Sequence, residues 1–87
     1  MKAIWKYELT IDRIQEIELP NSSEILSVGV TKNVGNLWVK VDKDTVGTMK
    51  VKILTVPTGS NFSEDATFLG TLIYNKGEIV QHVFVLK

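Results

Sequence analysis

There is no cysteine in this chain, so neither a disulfide nor a thiolate metal site can support a small core. His82 is the only histidine and Arg13 the only arginine. One histidine without cysteine leaves too few soft ligands for a zinc centre. One arginine argues against a dedicated DNA or RNA binder, because bidentate contacts to bases and phosphates favour that side chain. Ten Lys plus Arg balance ten Asp plus Glu, so the basic excess behind sequence-independent nucleic-acid binding is missing. No apolar run approaches the roughly 20 residues that span a bilayer. Met1–Lys6 shows no apolar core of a signal peptide. The expectation is a soluble protein of a reducing compartment, with no membrane partner. The six glycines are scattered, and none forms a phosphate-cradling loop ahead of a helix.

What is present is a period of two. With 87 residues and 44% hydrophobic content, the chain reads as one domain over 1–87. A chain this short buries only about 60–65% of its unfolded surface. Ala3, Trp5, Tyr7 and Leu9 alternate with Lys2, Ile4, Lys6 and Glu8, which predicts a first strand with Trp5, Tyr7 and Leu9 inward. Ile17 and Leu19 form a second strand that Pro20 ends. Glu24–Thr31 is a third, and Asn33-Val34-Gly35-Asn36 reads as the turn after it. Leu37, Val39 and Val41 then alternate with Trp38 and Lys40. After an acidic loop to Gly47, Met49, Val51 and Ile53 alternate with Lys50 and Lys52. Pro57-Thr58-Gly59-Ser60-Asn61 breaks the pattern. Phe68, Gly70, Leu72 and Tyr74 follow, with Gly70 a candidate bulge. Asn75-Lys76-Gly77 signals a hairpin into a last strand, Ile79–Leu86. Helical turns are expected only over Thr10–Glu16 and at Ser63–Ala66.

These features predict an all-β protein: a small antiparallel β-sandwich or open barrel of about six to seven strands. Leu69, Ile73, Val80, Phe84 and Leu86 make several strands apolar on both faces. Either a second sheet or a second subunit must cover the extra face, and a homo-oligomer is expected.

No constellation asks for catalysis, and no catalytic residue, metal or cofactor is expected. His82 reads as a partly buried strand residue, a ligand contact, or half of a dyad completed from a distant strand. Asp42-Lys43-Asp44 lacks the closing glutamate of a calcium loop. Glu16 and Glu18 share the polar side of a short strand. The Thr58-Gly59-Ser60-Asn61 loop offers small donors that could cradle an anion. If the strands around 37–42 and 48–54 pair as a hairpin, Trp38, Lys40, Lys50 and Lys52 share one face. An aromatic plate among ammonium groups suits a flat anionic ligand; it equally suits a subunit interface. The candidate ligand-binding set is Trp38, Lys40, Lys50, Lys52, Thr58 and His82.

The pieces Ile4-Trp5-Lys6-Tyr7-Glu8-Leu9, Leu19-Pro20, Ile25-Leu26-Ser27-Val28, Leu37-Trp38, Thr58-Gly59, Leu69-Gly70-Thr71 and His82-Val83-Phe84 resemble, in order and spacing, a family of short phage-encoded proteins of no established general function. The resemblance implies a phage protein acting in the host cytoplasm. In that setting, small oligomeric proteins counter host defence, some by holding a cyclic dinucleotide away from its effector. The expectation is therefore a non-catalytic sponge for a host immune-signalling nucleotide. The alternatives are a protein–protein inhibitor of a host defence or regulatory protein, or a minor virion accessory protein.

Overall fold

The computed structural model covers Met1–Lys87. Every segment read as alternating becomes a strand: β1 (Lys2–Glu8), β2 (Ile14–Pro20), β3 (Glu24–Thr31), β4 (Val34–Asp42), β5 (Thr48–Pro57), β6 (Ala66–Tyr74) and β7 (Ile79–Leu86). They form two sheets, ordered β1-β4-β3 and β2-β5-β7-β6, with every pair antiparallel. The all-β expectation holds as an open sandwich, because a single sheet would leave one apolar face in water.

The core lies between the sheets. Leu37, Val39 and Val41 enter it from β4, Leu19 from β2, Ile53 from β5, Leu72 from β6 and Val83 from β7; all are essentially inaccessible to water. The inward sets of β4 and β5 are thus those the alternation selects, but the two strands do not pair. They belong to opposite sheets and the loop between them crosses the sandwich. Period two marks an inward side and says nothing about which sheet supplies it.

Local departures have local causes. The β3–β4 turn centres on Lys32 and Asn33, both at positive φ (49° and 62°), the backbone hand that suits a two-residue hairpin. Val34 and Gly35, read as turn residues, already pair with Thr31 and Val30. Buried Asn36 ties this turn down, its Nδ2 donating to Thr31 Oγ1 (2.8 Å) and Val34 O (3.0 Å). No α-helix forms at Thr10–Glu16 or Ser63–Ala66; the one helical piece is a 3-10 turn at Asn75–Gly77. Gln15 accepts from Thr10 N (2.8 Å) and joins β2 opposite Ile53. Segments this short take the conformation their tertiary partners offer.

Two bulges shift register, at Ile25/Ser27 in β3 and at Phe68/Gly70 in β6. The second bears out Gly70 and reverses the phase before it: Phe68 turns outward opposite Phe84, while Leu72 stays buried inside. Gly70 also lets the sheets approach, since a Cβ there would meet Val28 Cγ2 at 2.6 Å. Trp5 departs from the reading as a core residue. It lies on edge strand β1 and remains 42% exposed, because no further strand flanks it.

Candidate functional site

Trp38 and Lys40 stand on the outer face of the three-stranded sheet. Trp38 pairs with Lys6 on β1 and Ser27 on β3. Its indole lies against Gly29, where a Cβ would sit 3.0 Å from the ring. Lys40 Nζ is 2.9 Å from Glu24; this hydrogen bond and charge hold the Glu24 carboxyl below its ordinary range. The ammonium of Lys40 is therefore already engaged. Ile4 and Leu26 on the same sheet are 62% and 45% exposed.

Lys50 and Lys52 stand on the outer face of the other sheet. Lys52 lies opposite Glu16 and Lys50 opposite Glu18, with Lys50 Nζ 3.8 Å from Glu16. They form a solvated charge ladder. The expected face of Trp38, Lys40, Lys50 and Lys52 does not form: its two halves lie on opposite sides of the sandwich, because β4 and β5 face one another through the core.

Thr58 and His82 do come together. Thr58 Oγ1 lies 2.7 Å from His82 Nε2, and Thr71 Oγ1 lies 3.1 Å from Nδ1. The residues come from the loop after β5, from β7 and from β6. Thr71 was absent from the candidate set; it lies opposite His82 in the register that runs unbroken from Tyr74 and Ile79 at the β6–β7 turn. A neutral imidazole donates from one nitrogen and accepts at the other, and hydroxyls serve in either role. The partners are two hydroxyls and no carboxylate, so nothing acidic orients the ring as in a hydrolase triad. Turned toward a ligand, the same three groups are donors for anionic oxygen.

Beside this cluster the four-stranded sheet carries a second apolar layer. Leu54 and Val56 share the side of β5 that bears Lys50 and Lys52, yet they are 0% and 4% exposed. Phe84 lies opposite Leu54. Phe62 and Phe68 pack on Phe84 with centroids 4.9 and 5.4 Å away. Residues 58–65 act as a strap over this layer. Thr58 N donates to Val80 O (3.3 Å) and Lys87 N to Asp65 O (3.1 Å). Arg13 grips Glu64 through two hydrogen bonds of 2.5 and 2.9 Å. That grip, with backbone donors, pulls the Glu64 carboxyl down to about 2 and raises the Arg13 guanidinium above its ordinary value.

A cleft of about 380 Å³ opens at one end between the sheets, with Leu9, Val34, Tyr74 and Ile79 as walls and Asn33 and Gln81 as polar groups. Burial raises the Tyr74 phenol. A polar cleft of about 290 Å³ beside Lys2, Glu24, Lys40 and Asp42 holds charges of both signs. No group of three or more His, Asp and Glu residues is placed to hold a metal ion, and no helix is long and apolar enough to cross a membrane.

The family model for Domain of unknown function (DUF7352) matches residues 1–87, and the chain belongs to that family. No curated protein and no solved structure matches it.

Proposed function

We propose that this member of the DUF7352 family is a non-catalytic binding protein for a small anionic ring-bearing ligand of the cyclic-dinucleotide class. The observation that carries the reading is the neighbourhood of two chemistries on one face: the Thr58–His82–Thr71 cluster, and the Phe62–Phe84–Phe68 group. His82 and Phe84 are two residues apart on β7, about 7 Å along one side of the strand. Hydroxyls and imidazole would meet phosphate oxygens. The exposed edges of Phe62 and Phe68 would take a base, a contact that contributes about 1–3 kcal/mol per base. Capture would be stoichiometric and reversible, and the ligand would leave unchanged.

This transfers the site from the Trp38 face to the strapped face and keeps Thr58 and His82 from the candidate set. Lys50 and Lys52 would attract the anion from the same outer surface without touching it. The setting proposed with it is a phage protein acting as a homo-oligomer in the host cytoplasm, lowering the free concentration of an immune signal. Calorimetric titration with a panel of cyclic di- and trinucleotides tests the reading. At least one ligand should bind at micromolar concentration or tighter and be recovered intact after denaturation, and Thr58→Val and His82→Ala should each weaken it about ten-fold, the worth of one charge-assisted hydrogen bond. No binding across the panel at millimolar ligand contradicts it. Exposed Ile4 and Leu26 beside Trp38 favour a second reading, a host-protein inhibitor acting through the bare face; a stoichiometric host protein retained by the wild type and lost with Trp38→Ala would support it.

A further inference from the structure

Four strands have free edges: β1 and β3 in one sheet, β2 and β6 in the other. An unpaired edge invites another strand, and proteins blunt such edges with bulges, proline and charge. β3 and β6 are each broken by a bulge. β2 ends in Pro20 and carries Glu16 and Glu18. β1 alone has neither bulge nor proline: seven residues pair with β4 in unbroken register, and its charges, Lys2, Lys6 and Glu8, are of both signs. Leu9 N donates to Gly35 O (2.8 Å), and Met1 O accepts from Lys43 N (2.9 Å). Odd-numbered residues thus turn their backbone groups to β4, and by alternation Lys2, Ile4, Lys6 and Glu8 turn theirs to the open edge.

We propose that β1 pairs antiparallel with β1 of a second copy of this chain, about a two-fold axis at Trp5. In that register Lys2 stands opposite Glu8 of the second copy, Ala3 opposite Tyr7, Ile4 opposite Lys6, and Trp5 opposite Trp5. All edge-facing residues meet edge-facing residues, as the ladder requires. Sliding by two residues fails in either direction: one slip sets Lys2 against Lys6, the other Lys6 against Lys6, and like charges directly opposite destabilise. The pairing joins two three-stranded sheets into one of six strands. It covers the half-exposed indole of Trp5 and forms about six backbone hydrogen bonds, besides those at the Glu8 carbonyl, which already accepts from Gln15 Nε2 at 3.3 Å. The same construction on β2 fails. Arg13 O and Asn21 N point to β5, so Glu16 would face Glu18 of the second copy and Pro20 would have no N–H to give. Zero net charge leaves no global repulsion against association.

The pairing rests on the homo-oligomer part of the reading above and on none of its ligand chemistry, so either can fail without the other. Sedimentation velocity of the full chain should show a dimer. Lys2→Glu and Glu8→Lys should each raise its dissociation constant about three- to ten-fold, and mixing the two single variants should restore wild-type affinity as a heterodimer. Within one chain these positions are about 20 Å apart, so a direct contact cannot explain that rescue. With no native thiol, Trp5→Cys should give a disulfide-linked dimer under mild oxidation. Ala3→Cys should not, its copies lying about 14 Å apart. A wild-type monomer at about 100 µM, a weak range for specific assembly, overturns the proposal. So does a mixture no tighter than its components, or equal cross-linking at positions 3 and 5.

Discussion

The two outer faces of the sandwich come from strands of similar patterning and end differently. On the four-stranded sheet, residues 58–65 fold back over the surface and bury Leu54 and Val56 beneath Phe84. On the three-stranded sheet nothing returns, and Ile4 and Leu26 stay in water. An apolar residue pointing away from the core is thus neither buried nor exposed by its place in the alternation. The connecting chain decides, and the long β5–β6 connection is the one that reaches. The covered face gains a local scaffold able to hold His82 between two hydroxyls. The bare face offers an indole, an engaged lysine and a free edge.

The largest effect expected from this contrast is on stability. Leu54→Ala should cost about 3 kcal/mol, as for a fully buried leucine. Ile4→Ala should cost no more than about 0.5 kcal/mol, as for a surface change. Urea denaturation measures both, and equal costs would break the comparison. Next comes the strap itself. Phe62→Ala removes its aromatic contact with Phe84, which should cost about 1 kcal/mol and speed proteolysis within 58–65 while leaving β1–β4 amides protected. A third test uses acid. Folding lowers the Glu64 carboxyl from an ordinary 4.5 to about 2. Its contribution is therefore fully present above about pH 4.5 and fades as pH falls toward 2. Amide exchange in the strap should accelerate over that window in the wild type and lose the dependence in Glu64→Gln. The smallest effect concerns the lysines: Lys40→Ala, on the bare face, should leave ligand affinity within two-fold, whereas Lys52→Ala should slow ligand association modestly and in a salt-dependent way.

Much of this fold was legible in the residues. The inward sets at Leu37, Val39, Val41 and Ile53, the stop at Pro20 and the bulge at Gly70 follow from alternation and backbone chemistry. Three things were not. The placement of β4 and β5 in opposite sheets depends on strand order, to which a period of two is blind; that is why Trp38 and Lys52 appeared to share a face. The phase of Phe68 depends on one extra residue in β6. The Thr71–His82 contact depends on the length of the β6–β7 turn, which sets Tyr74 opposite Ile79. Of the candidate site, Thr58 and His82 converge because β5 pairs with β7, setting His82 opposite Val56, two residues before Thr58, and the sequence does not announce that pairing.

The central claim is that ligand recognition belongs to the strapped face. Titrating isotopically labelled protein with a cyclic dinucleotide that binds it, and following amide and side-chain resonances, tests this most directly. Saturable shifts at Thr58, Thr71, His82 and Phe62, with the Trp38 indole N–H unmoved, are the predicted result. Shifts centred on Trp38 and Lys40, with His82 silent, would contradict it.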